Sequence, residues 1–183
     1  MKGLSEVGVQ QTRMVVNIVA FQAGWFAAVL GAAYGYSWLG PVTVTMVLAW
    51  HLSQSPRRFV EVIVALATGA FGFLFDSALI ALGDLSPVRD WMPAPLSPLW
   101  MIFLWVNFAT LLNVSLQWLQ GRYLLAALFG AVGGPVAYYA GAQMGATRET
   151  LSNESILVLS VAWSGAVPAV FFIAKVIDKH VRV

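Results

Sequence analysis

Two carboxyl groups, those of Glu61 and Asp76, lie in a run of residues that is otherwise uncharged and mostly apolar. An ionisable side chain at membrane depth is energetically costly, so it normally faces a protein interior and marks a functional site. About 22 Å of helical rise separates the two residues, which is too far for a single catalytic carboxylate pair. The sequence therefore predicts separate candidate sites, one near each end of one helix.

Several other polar residues are expected at the same depth as Glu61. Together they form a candidate cytoplasmic-side polar site, which consists of His51, Arg58, Glu61, Asn17, Asn113 and Gln117. Because Arg58 precedes Glu61 by three residues and only a short turn follows His51, these three side chains are expected to meet. Such a group could act as a proton relay, an acid–base site or a clamp for a lipid headgroup. In the structural alternative, His51 caps a helix, Arg58 is part of the topology signal, and Glu61 is the ion-pair partner of Arg58. The side-chain amides then form hydrogen bonds that join helices.

Asp76 is the candidate acid at the outer end of the same helix. No basic residue adjoins it in the sequence, and Arg89 in the following loop is the nearest candidate partner. The alternative to a functional role is that its carboxyl group lies close enough to the interface to reach water.

One face of this helix combines the two acids with small residues. At 100° per residue, five positions fall within about 80° of one another. They are Glu61, Ala65, Thr68, Gly72 and Asp76. Small residues allow helices to approach closely and acids avoid lipid, so we expect this face to pack inside a helix bundle.

Three tryptophans and two helix-disrupting sites suggest a cavity near the middle of the membrane. Trp25, Trp105 and Trp163 are predicted away from the interfaces, where an indole N–H needs a partner or a lined cavity. Gly133-Gly134-Pro135 and Pro168 predict kinks or thinned helix, which can open such a cavity or be tolerated without function.

The elements that position these side chains are predicted to be membrane helices. The sequence is 60% hydrophobic and 10% charged, with a mean hydropathy of +0.78, whereas soluble domains average about 25% charged residues. A hydrocarbon core of about 30 Å requires about 20 apolar residues per helix. We predict an all-α, six-helix bundle that forms one integral-membrane domain over residues 1–183. The predicted spans cover about residues 14–34, 38–53, 59–82, 99–119, 123–142 and 155–174.

The basic residues assign an orientation to this bundle. Six spans place eight of the ten Lys and Arg residues on one side, namely Lys2, Arg13, Arg57, Arg58, Arg122, Lys175, Lys179 and Arg182. Only Arg89 and Arg148 fall on the other side. This positive-inside pattern predicts that both termini are cytoplasmic and that residues 84–91 and 145–154 face outward.

The first predicted span has some features of a secretory signal. Its apolar run is followed by small residues, Gly31-Ala32-Ala33, as a cleavage site would be. We expect the segment to be a retained helix, because Asn17 and Gln22 interrupt the run and an even number of spans fits the charges better.

The composition argues against several classes of protein. The net charge of +2 and the pI near 9.2 come from basic residues spread over short cytoplasmic segments, so we expect no nucleic-acid partner. The chain has no cysteine and two histidines, which excludes disulfides and thiolate metal sites. A phosphate-cradling glycine loop, a metal-binding helix motif and a nucleophile elbow are also absent. We expect no metal site and no cofactor, and the sequence leaves open whether the protein is an enzyme.

A set of polar and aromatic positions runs along essentially the whole chain. It comprises Asn17, Phe21, Gln22, Trp25, Phe26, His51, Arg58, Glu61, Asp76 and the region from Trp105 to Trp118. In these positions the chain resembles a family of small bacterial inner-membrane proteins that is classified only as a domain of unknown function. The resemblance implies a multi-pass protein of the bacterial inner (cytoplasmic) membrane and a role connected with lipids. It supplies no established catalytic residue.

The resulting hypothesis is an integral inner-membrane protein that handles or transports a lipid or a small amphiphile. Two alternatives remain: an intramembrane enzyme that acts on lipid at the cytoplasmic leaflet, and a structural subunit of a membrane complex. The expected partners are membrane lipids, and a second copy or another membrane protein is left open. A continuous polar path between Glu61 and Asp76 would favour transport, a closed pocket at one level an enzyme, and a bundle without a cavity a structural role.

Overall fold

The computed structural model describes residues 2–88 and 90–181, with side chains from residue 8 onward. The described part of the chain is all-helical. Its α-helices are α1 (Lys2–Ala33), α2 (Leu39–Gln54), α3 (Arg58–Leu82), α4 (Leu99–Leu112), α5 (Tyr123–Gln143) and α6 (Asn153–Val181). A short 3-10 helix, Gln117–Leu119, lies between α4 and α5. The predicted all-α class is confirmed.

Four of these helices are long and apolar enough to cross a membrane: Gly8–Ala33 within α1, and all of α3, α5 and α6. The protein is therefore an apolar helical protein of the kind found in membranes. The helices α2 and α4 have 16 and 14 residues, or about 24 and 21 Å at 1.5 Å per residue. Both are shorter than a hydrocarbon core of about 30 Å, so helix length does not support the predicted count of six spans.

The fourth helix ends earlier than predicted. It stops at Leu112 rather than near residue 119, and the Leu116 N–H donates to the Leu111 carbonyl at 2.9 Å within the turn that follows. Asn113 and Ser115 in this turn use their side chains to reach other helices. Short polar side chains compete with the helix for backbone conformation, which explains why an apolar run did not continue as helix.

The centre of the bundle is α4, which packs against α1, α2 and α3. The hairpin of α5 and α6 joins this group through contacts between α6 and α3. The helices α1 and α5 are not among the closely packed pairs. They approach each other near the C-terminal ends of both helices, where a Cβ on Gly141 would lie 3.9 Å from Val29 Cγ1. Large apolar side chains such as Leu66, Leu74 and Leu124 lie exposed on the outside, as expected for helices that face lipid.

The predicted inward face of α3 is confirmed. Glu61, Ala65, Thr68, Gly72 and Asp76 are all buried, and they face the other helices of the bundle. This burial agrees with the argument that small residues permit close approach while carboxyl groups avoid lipid.

Two loops meet beside Asp76. Pro87 forms an isolated antiparallel bridge with Thr147, and the Val88 N–H donates to the Ala146 carbonyl at 2.9 Å. The Arg148 N–H donates to the Ser86 carbonyl at 2.7 Å. The α3–α4 loop is thus tied to the α5–α6 loop by backbone hydrogen bonds.

Candidate functional site

The Asp76 carboxyl group is fully buried where α3, α4 and α5 meet. Its Oδ2 accepts a hydrogen bond of 2.9 Å from Trp105 Nε1, and its Oδ1 accepts one from the Tyr138 hydroxyl. Both donors are neutral groups, and Asp76 forms no ion pair with any described residue. Arg89, the partner expected from sequence, lies outside the described residues. The carboxyl group is hydrogen-bonded but has no basic neighbour in the described structure.

Two stacked indoles lie next to this carboxyl group. The rings of Trp105 and Trp163 have centroids 4.6 Å apart and planes inclined by 11°. A Cβ on Gly72 would lie 1.9 Å from Trp105 Cγ, and a Cβ on Gly134 would lie 2.1 Å from Trp163 Cγ. Each indole therefore occupies space that only a glycine leaves open, and the pair fills the distance between α3 and α5. We call these four residues the tryptophan layer.

A cavity of about 460 Å³ adjoins the tryptophan layer. This volume falls within the range of roughly 300–1,000 Å³ that is typical of small-molecule sites. Nine aromatic side chains contribute to its wall, namely Phe21, Trp25, Phe26, Trp100, Trp105, Phe108, Phe129, Tyr138 and Trp163. Its polar side chains are few, namely Gln22, Asp76, Tyr138 and Thr147. No lysine, arginine or histidine of the described chain lines it.

The cavity is open sideways and closed at one end. Pro87, Ala146 and Thr147 of the two bridged loops contribute to its wall at the outer end predicted from sequence. Lining residues that are also exposed on the protein surface include Phe26 on α1 and Val136 on α5. Both helices line the cavity, so its opening lies between α1 and α5 on the outside of the bundle.

The Glu61 carboxyl group has a different environment at the other end of α3. His51 Nε2 lies 3.3 Å from Glu61 Oε2, and the Asn113 side-chain amide donates to Glu61 Oε1 at 3.1 Å. The Gln120 amide donates in turn to Asn113 Oδ1 at 2.8 Å. His51 and Glu61 are buried. This cluster joins α2, α3 and the α4–α5 connection, and neither His51 nor Glu61 lines the cavity.

The other residues of the predicted cytoplasmic-side site lie apart from this pair. Arg58 is exposed and forms no ion pair with Glu61; the neighbouring Arg57 instead pairs with Asp178 of α6 at 2.8 Å. Asn17 belongs to a separate network, in which it accepts a hydrogen bond of 2.6 Å from Ser115 Oγ. Gln117 is exposed on the 3-10 helix. The structure thus brings together His51, Glu61 and Asn113 of the six.

The sequence indicated the cavity but not the tyrosine beside Asp76. The midspan positions of Trp105 and Trp163 and the glycines of α5 were signals for a cavity, and both tryptophans line it. Tyr138 was missed. Its signal was a phenol in an apolar helix, because a buried tyrosine hydroxyl usually requires a hydrogen-bond partner.

Comparison with known proteins places most of the chain in one family. No curated protein and no solved structure matches it. A family model described as a protein of unknown function, DUF2878, matches residues 14–169. This match covers most of α1 to α6, including the Asp76 and Glu61 clusters and the cavity. The chain therefore belongs to the DUF2878 family of proteins of unknown function.

Proposed function

We propose that this protein is an integral membrane protein that binds the apolar part of a lipid or small amphiphile in the cavity beside Asp76. The observation that carries the proposal is the cavity itself, which is large enough for a small molecule, aromatic-walled and open between α1 and α5. A pocket lined mainly by apolar side chains with a few convergent polar groups is the usual form of a ligand site.

The same proposal includes a six-span arrangement with cytoplasmic termini in a bacterial inner membrane. The asymmetric distribution of basic residues supports it. The short helix α4 can lie within the bilayer because it packs against α1, α2 and α3, and non-helical backbone at membrane depth is tolerated where it is buried in protein. In this orientation the Asp76 cavity lies toward the outer leaflet and the Glu61 cluster toward the cytoplasm.

A sideways opening favours a ligand that arrives from the bilayer rather than from water. Removal of a lipid chain from hydrocarbon gains no hydrophobic free energy, since lipid tails are as apolar as the cavity wall. Binding must then depend on shape, on dispersion contacts with the aromatic rings and on polar groups. The Asp76–Tyr138 pair supplies such polar groups beside the cavity.

The contacts between the two acids favour binding at one level over a continuous transport path. Thr68 lies between Glu61 and Asp76 on α3, and its buried hydroxyl has no hydrogen-bond partner among the described residues. The apolar residues Val64 and Leu112 are packed in the same core. The enzyme alternative at the cytoplasmic leaflet gains less support, because His51 and Glu61 do not line the cavity.

A pair of glycine substitutions tests the proposal. Gly133 lines the cavity and a Cβ there would meet nothing closer than Phe129 at 3.9 Å, whereas Gly165 is exposed on α6 with nothing within 4 Å. Gly133→Leu should fill the cavity, and Gly165→Leu is the matched control. Native mass spectrometry of each purified protein would detect a bound amphiphile. We expect it on the wild type and on Gly165→Leu, with loss from Gly133→Leu; equal retention by both variants would refute the cavity as the site.

A further inference from the structure

We propose that the ligand of this cavity is a hydrophobic organic cation, such as a long-chain amine or quaternary ammonium compound. The inference depends on the proposed function, because it names the chemical class that the same cavity accepts. It follows from the charges and rings around the cavity rather than from its volume.

The first step is the charge of the wall. Asp76 is the only acidic residue of the described chain that lines the cavity, and its two hydrogen bonds come from an indole and a phenol, which carry no charge. Among the described residues no basic side chain lines the cavity or pairs with Asp76. A carboxylate inside a membrane is normally paired with an opposite charge. Here a cationic ligand would supply that charge.

The second step is the aromatic wall. A cation near the face of an indole or phenol is attracted by the ring quadrupole within about 6 Å, and aromatic cages are the common recognition mode for quaternary ammonium groups. Trp105 and Tyr138 donate hydrogen bonds to Asp76, and the Tyr138 ring lies 5.9 Å from that of Trp163. The faces of Trp105 and Trp163 are stacked on each other. The rings open to a cation are therefore Tyr138 and wall residues outside the tryptophan layer, such as Trp25 and Phe26. Coulomb attraction in a medium of low dielectric constant acts over several ångströms, so the cation need not displace Tyr138 from Asp76.

The third step is discrimination against other amphiphiles. An anionic headgroup would be buried beside Asp76 with no basic residue to pair with it, which is strongly unfavourable. A neutral chain would leave one hydrocarbon environment for another and gain only shape and dispersion contacts. A positive charge therefore distinguishes the best ligand from the surrounding lipid.

Three probes with the same dodecyl chain test this class on the wild-type protein. They are dodecylammonium, dodecanol and dodecanoate, each added to the protein in a neutral detergent at mildly alkaline pH, where the amine is protonated and the carboxylate ionised. A ligand that binds the folded state raises the unfolding temperature. The mole fraction in the micelle that gives half-maximal stabilisation measures relative affinity. We expect dodecylammonium to act at a concentration at least about tenfold lower than dodecanol, with no stabilisation by dodecanoate.

Two variants locate the effect. Asp76→Asn removes the charge and keeps an acceptor for Trp105. Dodecylammonium and dodecanol should then give half-maximal stabilisation at about the same concentration. Glu61→Gln makes the same change in the other buried acid, outside the cavity, and should keep the preference. If Asp76→Asn fails to fold, the three-probe comparison on the wild type still decides the inference.

The outcomes separate this inference from the proposed function. Equal stabilisation by dodecanol and dodecylammonium, abolished by Gly133→Leu, would overturn the cationic class and leave an amphiphile site. Stabilisation by dodecanoate would also overturn it. If no probe stabilises the protein, or if Gly133→Leu responds as the wild type does, both the inference and the proposed function fail.

Discussion

The two buried acids of α3 occupy the same helix face but have different surroundings. Glu61 contacts an ionisable histidine and an amide. Asp76 contacts an indole and a phenol, and its site opens into a cavity. The difference shows that burial alone does not identify a functional acid. An acid with a potential counter-charge is explained by structure, whereas one without it requires another explanation.

The two regions also differ in how they are supported. The Glu61 cluster is made of hydrogen bonds between side chains at the ends of helices. The Asp76 region depends on the tryptophan layer. In this layer each indole ring packs directly against a glycine, in space that a larger side chain would fill. A polar cluster that loses one member leaves its partners without hydrogen bonds, whereas a packed layer cannot accept an additional atom. The following substitutions test this contrast, from the largest expected effect to the smallest.

The largest effect is expected in the tryptophan layer. Gly72→Ala should lower the free energy of unfolding by about 3 kcal/mol, because overpacking in a tight core costs about 1–3 kcal/mol and the added Cβ would overlap the Trp105 ring. Chemical unfolding in detergent measures the change. Gly133→Ala on the neighbouring α5 is the control, and it should be neutral or slightly stabilising. A stable Gly72→Ala protein with an unchanged indole environment would show that the layer is looser than described.

Loss of the Glu61 side chain should have the next largest effect. Glu61→Ala leaves His51 and Asn113 without their shared partner, and unsatisfied buried polar groups cost about 1–3 kcal/mol. We expect a loss of about 2 kcal/mol in unfolding free energy and no change in amphiphile binding. A double-mutant cycle with His51→Ala should reveal coupling between the two residues. Additive losses would mean that the pair contributes nothing beyond its separate side chains.

Asp76→Asn should have a smaller effect on stability and a larger one on ligand preference. The amide keeps an acceptor for Trp105, so we expect a loss of about 1 kcal/mol, the typical net value of one hydrogen bond. Unfolding in detergent gives the stability, and the probe titration gives the preference. If Asp76→Asn proved more destabilising than Glu61→Ala, the contrast between a structural acid and a functional acid would be reversed.

The smallest effect is expected at the Arg57–Asp178 ion pair. The side chains of its partners are 57% and 30% exposed, and exposed pairs contribute about 0–1 kcal/mol. Arg57→Ala should lower the unfolding free energy by about 0.5 kcal/mol, and added salt should reduce the difference from wild type. Arg58→Ala is the matched control and should change less. A loss above 2 kcal/mol would show that this contact between α3 and α6 is a main support of the bundle.

The sequence predicted those features that depend on periodicity along one helix. The inward face of α3 could be read from the 100° spacing of its acids and small residues. The early end of α4 could not, because Asn113 and Ser115 leave the helix to reach Glu61 and Asn17 on other helices. Such contacts have large sequence separations and leave no local pattern.

The sequence also did not show which of two neighbouring arginines forms an ion pair, or with which acid. Arg58 was expected to pair with Glu61, but α3 begins at Arg58 and its side chain is exposed, while Arg57 just before the helix reaches Asp178. A one-residue difference in where a helix starts turns a side chain by about 100°. Tyr138 was missed for a related reason, since its partner Asp76 is 62 residues away in the chain.

The position of the cavity between α1 and α5 also bears on what an affinity measurement would report. In the proposed membrane arrangement the cavity opens toward lipid, so it would sample the ligand dissolved in the bilayer and not the ligand in water. Each additional methylene shifts partition into the bilayer by about 0.8 kcal/mol, or roughly fourfold. A longer chain would therefore half-saturate the protein at a lower aqueous concentration without any new protein contact. A dependence of the apparent affinity on chain length would then arise from partition into the bilayer, whereas a dependence on charge would arise from contacts with the protein.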